Sequence, residues 1–538
     1  METKYPFHKV KHEVKTIQEL LDWSGYTYAS NDAYRFFEGN TICTKTYKEL
    51  LQDVQFAGRY LKENFASASH IAVIGPTSYQ WIVAWLSIVT TGLVAVPLDR
   101  LLQSDEILKL LRQADVSTLI FDNEQHLVAE AVHDACPEIT CICMTEPFYG
   151  QDSFVAQLLI QRKLGEPLWS ESVDSDTIAE IVFTSGTTGN YKGCVLTHKN
   201  LAWNAMNGST YAALTPKDKT MSILPIHHTL EVTAGMLTPF CSGVTVCIND
   251  SLRHIQRNLN IFHPECMIAV PMVVEMLNKN IWITAKKTKQ EQKLQFALKL
   301  SKCLQKLHIH IERQLFASVL DKLGGNLRLL VVGGAYLEPK LVENFSAMGI
   351  TIVQGYGVTE CGPVVACNTD RKWKADSVGQ TVTGCKIKIV DGEIWVSGPI
   401  VMQGYYNDPQ ANRDAFEGEW YKTGDLGYMD KNGYLYLTGR KKNLIILSNG
   451  ENVSPEELEQ KLTEIPGICE VIVCAEKNTL TAEIYSEPGA DINVIEQQIE
   501  GVNKTLPEYK NIRKVIFRDT PFPKTTTQKI KRNYSNIS

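Results

Sequence analysis

The run Thr184-Ser185-Gly186-Thr187-Thr188-Gly189-Asn190-Tyr191-Lys192-Gly193 follows an apolar stretch and has the makings of an anion cradle. Glycines let backbone N–H groups close on a charged oxygen. The hydroxyls of Ser185, Thr187 and Thr188 add donors, and Lys192 adds a positive charge. The spacing is not that of a Walker A loop, which would read GxxxxGK[ST]. Such a composition also suits a plain polar turn, so its meaning depends on what accompanies it.

Four further clusters do. Gly333-Gly334-Ala335 follows an apolar run that starts at Arg328, and the missing side chains leave room for a flat base. Gln354-Gly355-Tyr356-Gly357-Val358-Thr359-Glu360 follows Ile350–Val353. That order sets Thr359 and Glu360 at the carboxyl end of a strand, where open α/β sheets bind ligands. A carboxylate beside a triphosphate is unfavourable unless a cation intervenes, so Glu360 points to a Mg²⁺ contact. Tyr421-Lys422-Thr423-Gly424-Asp425 offers an acid able to bridge two ribose hydroxyls. Near the end of the sequence, Pro523 to Arg532 presents several lysines, Lys529 among them. Each cluster alone has a bland alternative as a turn, a packing glycine or surface charge. Together, in this order, they describe a nucleotide site.

The elements that must hold these residues are also legible. Ile71–Gly75, Thr118–Asp122, Ile178–Thr184, Met221–Pro225, Cys266–Pro271 and Arg328–Gly333 are short, β-branched runs that read as buried strands. Amphipathic stretches separate them, which predicts α/β layers. From about Gly379 the texture changes. Lys386–Val390, Glu393–Val396 and Tyr434–Thr438 alternate as half-buried antiparallel strands, with turns at Asp391-Gly392 and Asn432-Gly433. After Arg440, Ser454-Pro455-Glu456-Glu457 has the pattern of a helix start with Ser as N-cap. Strands at Cys469–Ala475, Thr481–Ser486 and Lys514–Arg518 and a helix at Ile492–Lys504 then suffice for a small α/β unit. The expected architecture is a large N-terminal α/β region (1–439) with a β-rich subdomain. A hinge (440–442) and a small mobile C-terminal α/β lid (443–538) follow, with the site between the two.

Composition narrows the class. The 538 residues are 44% hydrophobic with net charge −6, which argues against a nucleic-acid footprint. Trp81–Leu98 is apolar but broken by Thr90, Thr91 and Gly92, so it reads as a buried helix and strand rather than a membrane span. Met1 to Lys11 is polar and lacks the apolar segment of a secretory leader. A cytoplasmic location is expected, with the 14 cysteines as free thiols. Ala285 to Leu320 is helical and basic, with Lys286, Lys287, Lys289, Lys293, Lys299, Lys302, Lys306 and Arg313. It reads either as a solvated helix face or as a docking surface for anionic lipid or an acidic carrier protein.

These motifs closely resemble those of the acyl-adenylate-forming (AMP-binding) superfamily, which includes acyl-CoA synthetases and nonribosomal peptide synthetase adenylation domains. The resemblance runs from Thr46-Tyr47-Lys48-Glu49-Leu50 to Lys529 and is greatest toward long-chain fatty acid–CoA ligases. It implies that Thr184, Ser185, Gly186, Thr187, Thr188, Gly189 and Lys192 hold the β- and γ-phosphates of ATP. Gly333, Gly334 and Ala335 would line the adenine and acyl pocket, with Tyr356 and Gly357 beside adenine. Thr359 would contact the α-phosphate, Glu360 would hold Mg²⁺, and Asp425 and Arg440 would bind the ribose. Lys529 matches the catalytic lysine, and Lys442 falls at the hinge about which the lid swings between half-reactions. His228, Gly355 and Gly450 would border the acyl and thiol tunnel. One departure is Gln528, where the family usually has Gly before the lysine.

The expected activity is conversion of a carboxylic acid, of medium or long fatty chain, to acyl-AMP with release of pyrophosphate, then transfer to CoA. Leu224-Pro225-Ile226-His227-His228-Thr229-Leu230-Glu231 carries no Asp of the kind that binds an amino acid's ammonium; Glu231 is the only acid there. Alternatives are a stand-alone adenylating enzyme that loads an acyl carrier protein, a ligase for an aryl acid, and an inactive binding protein on the same fold. Retention of Thr359, Glu360, Asp425, Arg440 and Lys529 argues against the last. Weak peripheral membrane contact is a further expected interaction.

Overall fold

Short β-branched runs alternating with amphipathic helices build two large, mostly parallel sheets. The computed structural model describes residues 8–165, 171–185, 191–447, 451–476, 479–524 and 530–532. A seven-stranded sheet centres on the parallel strands His70–Ile74, Val94–Leu98, Val116–Phe121 and Ile178–Ser185. A nine-stranded sheet centres on Lys219–Ser222, Cys266–Ala269, Leu329–Val332 and Thr351–Gly357. One core joins Ile71, Val73 and Ile120 of the first sheet to Val246, Leu329 and Val353 of the second. The helix Tyr79–Thr90 lies in that core, with Trp81 and Trp85 fully buried. Helix Tyr47–Asn64 starts at a capping box in which Thr46 and Glu49 satisfy each other's backbone donors.

The chain then forms a five-stranded antiparallel sheet from Lys386–Val390, Glu393–Ser397, Phe416–Glu417, Trp420–Met429 and Leu435–Arg440. A smaller C-terminal domain follows. Its strands Ile468–Glu476, Thr479–Ser486 and Lys514–Arg518 pack on helices Pro455–Thr463 and Ile492–Asn503 around Leu458, Leu462, Val473, Ile484 and Ile495. The protein is thus α/β, with a large N-terminal domain and a small C-terminal one.

Four elements differ from the sequence reading. The strand expected over Met221–Pro225 is Lys219–Ser222, because the chain turns toward the site at Pro225. Glu393–Ser397 is buried on both faces, with Ile394 and Val396 joining the main core. The basic stretch is broken: one helix ends at Lys287, the next spans Glu291–Lys306, and short turns follow. Ser454 precedes the helix Pro455–Thr463, but its hydroxyl donates to the Thr438 carbonyl at 2.7 Å instead of capping. This bond ties the small domain to the last strand of the large one. It depends on Gly439, where a Cβ would sit 2.1 Å from Ser454 Oγ.

Candidate active site

The strands Cys266–Ala269, Leu329–Val332 and Thr351–Gly357 pair so that Ala269 lies beside Val332, and Val332 beside Gln354. Their carboxyl ends stop at one level, and Val270, Gly333 and Gly355 border one cleft. Gly334, with φ +89°, turns the chain away there. Gly357 is required by space, since a Cβ would fall 1.8 Å from the Pro363 carbonyl oxygen. The cleft's volume is about 3430 Å³, several times the roughly 300–1,000 Å³ of a pocket for one small ligand. It has room for more than one substrate.

Thr359, in the short turn Thr359–Cys361, and the half-buried Glu360 line this cleft. Glu360 Oε1 accepts from the Tyr405 hydroxyl at 2.9 Å. Burial, reinforced by Glu360, drives the Tyr405 pKa far up, so the phenol stays a donor. The other side of Tyr405 carries a cation: Lys192 Nζ lies 4.9 Å from its ring centroid. Tyr405 reaches this place because Gly404–Tyr405 pairs with Val195 and Cys194. Thr184 pairs with Lys192, and Ser185 with Tyr191. Gly186, Thr187, Thr188 and Gly189 lie outside the described residues.

Asp425 is only 6% exposed, and both its oxygens are engaged. Oδ2 accepts from the Tyr356 hydroxyl at 2.8 Å, and Oδ1 pairs with Arg440 Nε at 2.6 Å. Strand register explains the ion pair, since Asp425 sits directly opposite Arg440. Burial, then the Asp425 charge, raises the Tyr356 pKa, so this phenol also remains protonated. A carboxylate has about four acceptor positions, so one so anchored can still take ribose hydroxyls.

The opposite wall belongs to the small domain. Lys524 pairs with Glu470 at 2.7 Å and bridges to Ile530; the Lys531 N–H donates to the Pro523 carbonyl at 2.8 Å. Arg532 pairs with Glu459 and Glu456. Lys524, Ile530, Lys531 and Arg532 all border the cleft. Lys529 and Gly450 lie outside the described residues. Lys442 borders the cleft in the turn Lys441–Asn443, between the two domains. Burial and the neighbouring Arg440 lower its pKa.

His228 borders the cleft beside His227, their ring centroids 4.2 Å apart. Burial, then Arg100, pushes His227 down to about 4, so that imidazole is neutral near pH 7. Glu231 is 1% exposed, within the π-helical turn Glu231–Leu237, and accepts from the Ser222 hydroxyl. Burial raises its pKa to about 7. It is sequestered from the cleft and is not the acid that would bind an ammonium.

The lining of the cleft extends into the large domain. Its floor is one face of the nine-stranded sheet: Thr220, Cys266, Ile268, Leu329, Val331 and Val353. Strand alternation sends Met267, Leu330 and Ile352 to the other face, into a separate core. Its roof is Gly208, Tyr211, Leu214, Thr233 and Pro239. Next to Leu329, Arg328 donates to the Ala213 carbonyl at 2.8 Å and to Asp218 at 2.9 Å. The resemblance implied an acyl tunnel, but neither these lining residues nor Tyr405 were read from the sequence. The alternation Leu329, Val331, Gly333 was the available signal for the floor.

With this geometry in hand, likeness to known proteins is informative. The AMP-binding enzyme family matches residues 21–406, and the chain belongs to it. It is an AMP-forming acid–thiol ligase. It is similar to a long-chain-fatty-acid–CoA ligase, FadD15, of Mycobacterium bovis: 29% identical over 450 residues, covering 79% of this chain and 74% of that protein. It is also similar to an indoleacetate–CoA ligase of Aromatoleum aromaticum, 27% identical and covering 96% and 97% of the two chains. Its fold matches ATP-bound MatB from Rhodopseudomonas palustris, with TM-score 0.77, 22% identity and coverage of 96% and 97%.

Proposed function

We propose that the acid is a fatty acid of medium chain length and that the acceptor is CoA. The apolar space that opens from the nucleotide cleft carries this reading. Gly333 to Leu329 is four residues of strand, roughly 13 Å at about 3.3 Å per residue. An extended alkyl chain advances about 1.25 Å per bond, slightly more than a peptide backbone, so that length corresponds to on the order of ten carbons. An amino acid is disfavoured because Glu231, the one acid of the segment 224–231, is sequestered. An aryl acid would leave the Tyr211 end unfilled.

In this reading Lys192 and the segment 184–189 hold the β- and γ-phosphates. Asp425, anchored by Tyr356 and Arg440, holds the ribose. The substrate carboxylate attacks the α-phosphorus, the bond to the bridging oxygen breaks, and pyrophosphate leaves. Both reactants are anionic, so their approach is repulsive until charge is offset. Lys529 supplies that offset on the carboxylate and α-phosphate. Glu360 fits as a Mg²⁺ ligand, being a half-buried carboxylate on the cleft whose Oε1 accepts from the Tyr405 hydroxyl and which keeps further acceptor positions. Mg²⁺ is ordinarily held by one or two carboxylates plus substrate phosphates, and when bound it would neutralise phosphate charge. The CoA thiol then attacks the acyl carbonyl and AMP leaves. Positioning and charge account for such a reaction without a nucleophilic side chain.

The test is pyrophosphate release with Mg·ATP across fatty acids of graded length, aryl acids and amino acids, each with and without CoA. Turnover that needs CoA and peaks at medium chains supports the reading. A peak on an aryl acid, or adenylation that CoA does not relieve, would replace it with one of the alternatives.

A further inference from the structure

The helix Glu291–Lys306 carries two apolar stripes instead of one. Leu294, Leu298 and Ser301 form the inner stripe and are buried; the Ser301 hydroxyl donates to the Ala347 carbonyl at 2.7 Å. Phe296, Leu300, Cys303 and Leu307 recur at steps of four, three and four along the opposite side. Phe296 is 67% exposed, Leu307 68% and Leu300 37%, and Cys303 is also exposed. Ile309 and Ile311, both exposed, extend this stripe past the helix end.

Lysines flank the outer stripe. At about 100° per residue, Lys293 falls on one side of it and Lys299 and Lys306 on the other. From Ala285 to Leu307 there are seven lysines and one acid, Glu291, in a protein of net charge −6. Among the described residues, Lys302 alone of these lysines has an assigned ion pair, with Glu343 at 3.0 Å.

We infer that this face docks on an anionic lipid surface. Apolar side chains flanked by lysines match a bilayer interface, where the rings and aliphatic groups enter the acyl boundary and the ammonium groups reach the phosphates. An acidic protein would pair the lysines but gives no reason for an uninterrupted apolar strip between them. No described helix is long and apolar enough to cross a membrane, so the contact is peripheral. The inference stands apart from the identity of the acid, because none of these residues borders the cleft.

The test is co-sedimentation of the full chain with vesicles of phosphatidylcholine alone or mixed equally with phosphatidylserine. Binding should require phosphatidylserine and weaken with salt. The triple variant Lys293→Glu, Lys299→Glu, Lys306→Glu should lower partitioning by about 100-fold or more, on the scale of three interfacial lysines. Phe296→Ser with Leu307→Ser should lower it by about tenfold, through lost apolar insertion. Adenylation of a short, water-soluble acid should be unchanged in both. Failure of the native chain to bind anionic vesicles would overturn the inference, as would unchanged binding by the lysine variant. Capture of an acidic carrier protein through this face without vesicle binding would also overturn it.

Discussion

Asp425 and Glu360 are carboxylates on one cleft, yet their surroundings give them different work. Asp425 is pinned by a phenol and a guanidinium, whereas Glu360 has one phenol and Lys192 beyond it. Tyr356→Phe should raise KM for ATP by about tenfold, the scale of one hydrogen bond to a charged group, with kcat little changed. Steady-state kinetics at saturating acid would check this, and an unchanged KM would remove Tyr356 from ribose positioning. Lys529→Ala should slow adenylate formation by roughly 10²–10³-fold, the scale of losing one electrostatic stabiliser. It should spare thioester formation from supplied acyl-adenylate, and equal damage to both steps would contradict its assignment. Both acids were legible in sequence because each sits in a glycine-rich motif after a strand. Tyr405 was not, because strand pairing brings it to Glu360 and Lys192 from a segment with no motif of its own.

At the scale of elements, the strand Ile178–Ser185 carries a buried acid. Glu180 is 0% exposed and accepts from Trp85 Nε1 at 3.1 Å. Burial, partly offset by that bond, raises its pKa from 4.5 to about 8. The folded state therefore holds a proton that the unfolded chain releases near pH 4.5. Stability from this group is full below that pH and is lost as pH rises toward about 8. Glu180→Gln should raise Tm at pH 8 and change it little at pH 4.5, as followed by thermal denaturation; an equal shift at both would contradict the raised pKa. The turn Lys441–Asn443 is the other telling element. Lys442→Pro would fix φ there and should impair thioester formation more than adenylation. Separate assays of the half-reactions would show it, and unchanged thioester turnover would exclude Lys442 as the pivot. Parallel strands were legible because they are short, apolar and buried on both faces. The break at Lys287 was not, because the lysines of this exposed region give no periodic signal that distinguishes a helix end from its middle.

At the scale of the whole molecule, two sheets share one core, and a small domain closes the cleft at their edge. The α/β order and the change to antiparallel texture near Gly379 were readable from alternation alone. The lining of the apolar space between sheet and helices was not, because its walls come from strands and helices far apart in the chain. Tyr211→Ala should lengthen that space and move the preferred fatty acid up by several carbons, read as kcat/KM across a chain-length series. An unmoved optimum would show that the acyl group lies elsewhere. One cleft first makes an acyl-adenylate and then passes its acyl group to a thiol, and the function rests on this two-step order. It is tested most directly by incubating stoichiometric enzyme with Mg·ATP and a medium-chain fatty acid without CoA, quenching, and measuring enzyme-bound acyl-AMP. Near-stoichiometric acyl-AMP that disappears on adding CoA, with acyl-CoA and AMP formed in equal amounts, is the result expected. Acyl-CoA formed with ADP and phosphate, and no acyl-AMP at any time, would contradict the account.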